Sequence, residues 1–259
     1  MGDPRRARRA AADPHDVIVY GRNPVREALR GRRAASVKEV WATSAAAREP
    51  WLAELSPRIA DAHEIQRRCG SDAHQGVCAD AGGYPYANDD ELVAGGEGVI
   101  LILDEVADPQ NLGSICRTCE CAGTGGVVIP QRRAAEVTPA VCKASAGAVE
   151  HLHIARTRNI ADFIARARDG GFWCYGASGA AVGNRVPVRY DAPDYRGAPV
   201  ALVLGSEGRG LRPRVASACD ELIALPMRGR IASLGVSAAG AAILYEILQA
   251  REGGVDKSP

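Results

Sequence analysis

The chain has 259 residues, 46% of them hydrophobic and 24% charged, and its 32 basic residues against 31 acidic ones leave a net charge of +1. That composition fits one large or two modest globular domains with a real core, excludes a low-complexity chain, and gives no whole-molecule field that would draw in nucleic acid. No run reaches the ~20 apolar residues of a membrane span, and no apolar segment follows the N-terminal arginines. Eight scattered cysteines are too few for a disulfide scaffold at this length and point to a reducing, cytoplasmic setting.

Residues 1–16 are rich in Arg, Ala and Asp without periodicity and read as a disordered tail. Residues 1–33 together hold nine arginines against four acids, a local +5 that suits a phosphate backbone. The plainer alternative is a basic tail in a chain whose only lysines are Lys38, Lys143 and Lys257. A strand is predicted over 17–20, then a helix over 21–29 with Asn23 as its cap and Pro24 at its first position. A strand over 37–41, helices over 47–55 and 62–69, and a strand over 74–79 complete a small α/β domain, 17–83. The Gly, Pro and Asp punctuation of 84–96 reads as a linker.

The second domain, 97–252, opens on a buried strand over 98–103 that runs through Asp104 into a helix starting near Asn111. Strand ends leading into helices are where open α/β sheets hold ligands. Arg117, six residues after Asn111, can face the same crevice. Strands follow over 126–129, 152–155 and 172–175, with a helix over 159–169. The last fifty residues carry the densest signal. A strand, 200–204, meets a glycine loop, Gly205 to Gly210, that holds a lone carboxylate, Glu207. A strand over 221–225 and a loop over 227–235 precede a final helix, 236–251, with an apolar stripe at Val236, Ala239/Gly240, Ile243/Leu244 and Ile247/Leu248. The small residues 237–242 would let another segment approach closely. Alternating strand and helix predicts a mostly parallel sheet covered on both faces. Residues 253–259 form a short tail.

Each candidate has a plain competitor. Asn111 is also a good helix cap, and Glu207 a good solvated loop carboxylate. Cys116, Cys119 and Cys121 have zinc-like spacing but no second pair, so small core residues are the better reading. His151 and His153 flank Leu152 as surface residues more readily than as ligands, and no metal is expected. The glycine spacing 205, 208, 210 is not a dinucleotide fingerprint.

Asp104, Asp108-Pro109, Asn111, Gly113 and Arg117-Thr118, then Leu202, Leu204-Gly205, Glu207-Gly208 and Gly210, then Leu225-Pro226-Met227, Ser233-Leu234 and Val236-Ser237, resemble in order the three motifs of the SpoU branch of the SPOUT methyltransferases. The stretches from Gly21 to Leu29 and from His74 to Val77 look like that family's N-terminal substrate-binding domain, abbreviated between Leu55 and Ala62. The stretches from Ser145 to His151 and from Gly171 to Gly176 are most similar to the subgroup that methylates guanosine in 23S ribosomal RNA. The resemblance covers about 17–251. It implies a fold that general topology rules would not have suggested, a C-terminal trefoil-knotted α/β domain beside a small α/β RNA-binding domain. It also implies a homodimer and S-adenosyl-L-methionine as methyl donor. By position, Leu204, Gly205, Leu225, Leu234, Ala177 and Ser178 would hold the donor. Arg117, Asn111, Glu207 and Ser233 would form the catalytic set. Arg22, Arg26 and Arg30, with Arg32 and Arg33, would meet RNA phosphates. An RNA-binding protein of the same fold without efficient catalysis is the alternative. The third motif departs from the family at Gly235, where asparagine is usual, an exchange expected to preserve a turn of positive φ.

Overall fold

The computed structural model describes residues 17–94, 98–231 and 233–252. The tails expected at 1–16 and 253–259, and the last two residues of the expected linker, lie outside them. Two compact units divide the chain, Met1–Tyr84 and Pro85–Pro259.

In the first unit β1 (Ile18–Tyr20), β2 (Glu39–Ala42), β3 (Arg58–Ile59) and β4 (Val77–Asp80) form a sheet in the order β1-β4-β2-β3. β4 runs antiparallel to both β1 and β2, and the two-residue β3 adds in parallel at the edge. Helices α1 (Arg22–Ala28), α2 (Pro50–Ala53) and α3 (Ala62–Cys69) complete it, and Trp41, Ala60, Ile65 and Cys78 form one buried cluster. The helix predicted over 47–55 is broken in two. Glu49 takes an extended backbone (ψ 135°) because a following proline disfavours the helical region, so a 3-10 turn, Ala46–Arg48, ends before α2 begins. Asn23 is not a cap. α1 starts at Arg22 behind Gly21, whose φ of 94° suits glycine, and the Arg22 amide donates to Gln75 Oε1 at 3.1 Å.

The second unit opens with α4 (Asp89–Ala94), inside the stretch read as a linker. Its Leu92 is buried, Asp89 and Asp90 pair with Arg166, and the Val137 amide donates to the Tyr86 hydroxyl at 2.8 Å. Then come β5 (Val99–Asp104), α5 (Pro109–Cys121), β6 (Gly126–Pro130), α6 (Pro139–Ala144), β7 (Ile154–Thr157), α7 (Ile160–Asp169), β8 (Trp173–Ala177), β9 (Val188–Arg189), β10 (Val200–Gly205), α8 (Pro213–Ala218), β11 (Glu221–Ala224) and α9 (Val236–Glu252). The seven strands lie in the order β7-β6-β5-β10-β8-β11-β9, with every neighbouring pair parallel. β5 and β10 are buried along their apolar length, as strands covered on both faces must be. The chain winds outward from β5 to β7, crosses to β8, and returns to place β10 between β5 and β8. The winding direction therefore reverses beside β5, and all seven carboxyl ends share one edge. α9 buries Val236, Gly240, Ile243, Leu244 and Ile247 of the expected stripe and leaves Ala239 and Leu248 half-buried at its margin, and an added Cβ on Gly240 would lie 2.7 Å from Leu204 Cδ1.

Candidate active site at the carboxyl edge of the sheet

The register aligns the ends of four neighbouring strands. Asp104 of β5 pairs with Gly205 of β10, Leu204 with Ala177 of β8, and Ala177 with Ile223 of β11. All three motifs and the Ala177-Ser178 turn therefore leave the sheet at adjacent points. The loop after β10 folds back so closely that a Cβ on Gly205 would sit 2.2 Å from the Gly210 carbonyl carbon, which only glycine permits. Arg212 fixes the loop's far end. Its amide donates to Asp104 Oδ2 at 3.0 Å and its Nε to Oδ1 at 2.7 Å, and the Asp104 side chain is fully buried.

α5 begins at Pro109, and its cap is Asp108, whose Oδ1 accepts from the Gln110 amide at 2.9 Å. Asn111 is therefore the third helical residue, which removes its reading as a cap and leaves its half-buried side chain for another task. Arg117 is exposed and makes no side-chain hydrogen bond or ion pair to any described residue. Glu207 does not meet Arg117. Its Oε1 accepts from the Val236 amide at 3.3 Å, joining the glycine loop to the start of α9. Gly235, beside it, does not have a positive φ, so the turn there makes no demand for glycine or asparagine. Its added Cβ would lie 3.2 Å from the same Glu207 oxygen.

Among the described residues, none of 225–231, 233 and 234 makes a backbone–backbone hydrogen bond, so the Leu225 and Leu234 backbones and the exposed Ser233 are open to a ligand. Ser178 is anchored. Its amide donates to the Ile223 carbonyl at 2.9 Å and its hydroxyl to the Ala180 carbonyl at 2.7 Å. Further along that loop, Arg185 donates to the carbonyls of Ala216, Cys219 and Asp220 at 2.5 to 2.7 Å. Cys116 and Cys119 are buried core thiols, whereas Cys121 is exposed, and among the described residues no three His, Cys, Asp or Glu side chains gather as a metal site.

In the first unit Arg22 is half exposed and pairs with Glu49 at 2.5 Å, while Arg30 lies 4.0 Å from Glu27. Arg26 has a buried Nε with no partner among the described residues. Arg33 cannot be a phosphate contact. It is 1% exposed, with Nη1 on the Gly82 carbonyl at 3.3 Å and its guanidinium over the Tyr84 ring. A second set of cations escaped the sequence reading. Arg132 and Arg133 follow β6, Arg158 follows β7, Arg209 lies in the β10 loop, and Arg228 and Arg230 follow β11, all exposed and all past carboxyl ends of the sheet. No sequence window brings them together, because only the parallel topology does.

A parallel sheet whose motif loops leave adjacent strand ends defines an open α/β fold with its candidate ligand site at the carboxyl edge. The pattern described as SpoU rRNA Methylase family matches residues 98–245, and that described as RNA 2′-O ribose methyltransferase substrate binding matches 18–87. YacO of Bacillus subtilis (strain 168), whose name places it in the TrmH family of tRNA/rRNA methyltransferases, is 42% identical over 184 residues, covering 69% of this chain and 71% of that one. A protein of Staphylococcus haemolyticus (strain JCSC1435) with the same family designation is 32% identical over 252 residues, covering 91% and 96%. The solved structure of the SpoU methyltransferase AviRb from Streptomyces viridochromogenes, in complex with AdoMet, shares the fold with a TM-score of 0.76 at 23% identity, covering 92% of this chain and 91% of that one. The chain belongs to the SpoU rRNA methylase family of RNA 2′-O-methyltransferases.

Proposed function

We propose that this protein methylates the ribose 2′-hydroxyl of a guanosine in 23S ribosomal RNA, working as a homodimer with the C-terminal knot that the motifs imply and using S-adenosylmethionine as donor. The observation that carries the reading is the alignment of β5, β10, β8 and β11, which puts all three motif loops at one edge. The donor fits that edge by two features, a glycine loop closed on Gly210 and, among the described residues, Leu225 and Leu234 backbones that make no backbone–backbone hydrogen bond. When bound, it supplies a methyl group already activated on a sulfonium.

What remains for the protein is to align the hydroxyl and ease its proton loss. Arg117 suits the second task as an electrostatic clamp on the neighbouring phosphate or the developing alkoxide, because a guanidinium with a pKa above ~12 is a poor base. Asn111, six residues earlier on α5, positions the ribose or Arg117, and Ser233 lies against the methionine part of the donor. Glu207 acts through the start of α9, holding the third-motif loop in place. The RNA backbone runs across Arg22, Arg26 and Arg30 of the first unit and along the exposed arginines at the carboxyl edge of the second.

Incubating ribosomal RNA and transfer RNA with donor labelled in its methyl group tests the reading. Label at one guanosine ribose of 23S RNA is the expected result. Label in transfer RNA alone would move the substrate, and binding without label would leave an RNA-binding protein of this fold.

A further inference from the structure

Trp173 and Tyr175 stand two apart on β8, so the strand's period puts both on one face of the sheet. With Tyr195, Pro193, Asp194 and Glu221 they line a cavity of about 430 Å³. Trp173, Val200 and Glu221 are the first residues of β8, β10 and β11, so the cavity opens at the amino edge of the sheet, opposite the motif loops.

Its walls are aromatic and its polar groups acidic. The Trp173 and Tyr175 ring centroids are 6.5 Å apart, and Tyr195 stands edge-on to Tyr175 at 4.9 Å. Trp173 is 48% exposed, so part of its surface is open, whereas Tyr175 is only 4% exposed. The Tyr195 hydroxyl is spent on the Tyr190 carbonyl, but the Tyr175 hydroxyl has no hydrogen-bond partner among the described residues. Glu221 has no cation partner among them either, while Asp194 is paired with Arg196 at 2.8 Å. Arg251 is a second cation nearby, and its Nη1 is committed to the carbonyls of Tyr195 and Ala198. Burial, then the charges of Glu221, Asp194 and Asp220, push the Tyr175 hydroxyl up to about 12, so the field at its oxygen is negative.

An aromatic face beside an unpaired carboxylate rejects phosphate and favours an organic cation. We propose that this cavity binds an alkylammonium or guanidinium group, seated against Trp173 with its N–H donors on Glu221 and the Tyr175 hydroxyl. The group comes from a free polyamine or from a lysine or arginine side chain of a protein. The site is independent of methyl transfer, which takes place at the other edge.

Calorimetric titration of the full chain with spermidine, arginine amide, a short Lys/Arg peptide and the neutral citrulline amide tests this. The cations should bind and citrulline amide should not. Binding of the small amines would identify a free ligand, and binding of the peptide alone a protein side chain. E221Q should weaken binding about tenfold or more, and W173A and Y175F several-fold, with circular dichroism and methyl transfer unchanged. The proposal is overturned if no cation binds, if the neutral analogue binds equally, or if folded E221Q and W173A keep full affinity.

Discussion

Asp104 and Arg212 lie 108 residues apart in sequence, yet the guanidinium and backbone amide of Arg212 both donate to the one buried carboxylate. The pair joins the end of β5 to the far end of the β10 loop, so the first two motifs hold each other in place. Removing the guanidinium strands a buried charge, a loss of about 3 kcal/mol at the low end for such sites because the Arg212 amide still donates. Arg212→Ala should therefore shift the urea midpoint strongly and weaken donor binding as the loop loosens. Arg212→Lys should fall between, since an ammonium cannot reproduce the fork. A midpoint within error of wild type for Arg212→Ala would show that the pair is not a structural clamp.

α4 is held to α7 by Asp89 and Arg166, 2.6 Å apart. Burial alone would raise the Asp89 carboxyl, but hydrogen bonds from Arg166 and Thr157, with the Arg166 charge, together more than offset it and hold the pKa below the ordinary value. A depressed folded pKa stabilises fully above the unfolded value, near pH ~4, and the contribution is lost as pH falls through the lower folded value. The protection factors of the α4 amides, exchange rates corrected for the intrinsic pH dependence, should fall in that acid window. Asp89→Asn should show low protection already at neutral pH and little further change on acidification. If wild type and Asp89→Asn respond to acid alike, Asp89 is not the titrating group.

Arg117 is exposed on α5, the helix that carries the first motif, and has no partner among the described residues that would make it structural. Arg117→Ala should abolish methyl transfer while leaving S-adenosylmethionine affinity within a few-fold and the melting temperature unchanged. Retained turnover would refute its role. Lost donor binding would move Arg117 from the clamp to the cofactor site.

The first unit is compact by itself. A chain lacking residues 1–84 should remain folded and bind donor but lose most of its RNA affinity. The salt dependence of what remains should be shallower, by about one unit of slope per phosphate contact removed. Exposed arginines at the carboxyl edge should keep the salt dependence from vanishing. An unchanged slope would put the RNA contacts wholly on the second unit.

Six strands of the larger sheet were legible because short apolar runs bounded by Gly, Pro and polar residues leave few alternatives, and α9 because its stripe has helical spacing, whereas the two-residue edge strand β9 (Val188–Arg189) has no such run and was not expected. Other features depend on information no local window holds. Pro50 split a helix that looked continuous, and the polar sequence of α4 resembled a linker although Leu92 and two ion pairs dock it. Arg33 looked like its basic neighbours until the fold buried it. The Asp104–Arg212 pair and the arginines past β6, β7, β10 and β11 exist only once the strand order is known.

Gly235 stands where the family's third motif has asparagine, and the structure changes what that exchange means. Its φ is not positive, so a side chain meets no backbone obstacle, and a Cβ there would approach Glu207 Oε1 at 3.2 Å. Any residue with a Cβ should gain stability by about 0.4–1 kcal/mol, because it narrows the unfolded ensemble, provided Glu207 shifts by a few tenths of an ångström. Only asparagine also adds an amide that can donate to Glu207 or to the donor. That bond is worth about 0.5–1.5 kcal/mol, a several-fold change in affinity or rate. Gly235→Ala isolates the first effect and Gly235→Asn adds the second. Gly235→Asn should bind S-adenosylmethionine or turn over several-fold better than Gly235→Ala at similar stability. Equal behaviour of the two variants would mean that this site works without the amide, its loop held by the Glu207 bond to Val236 alone.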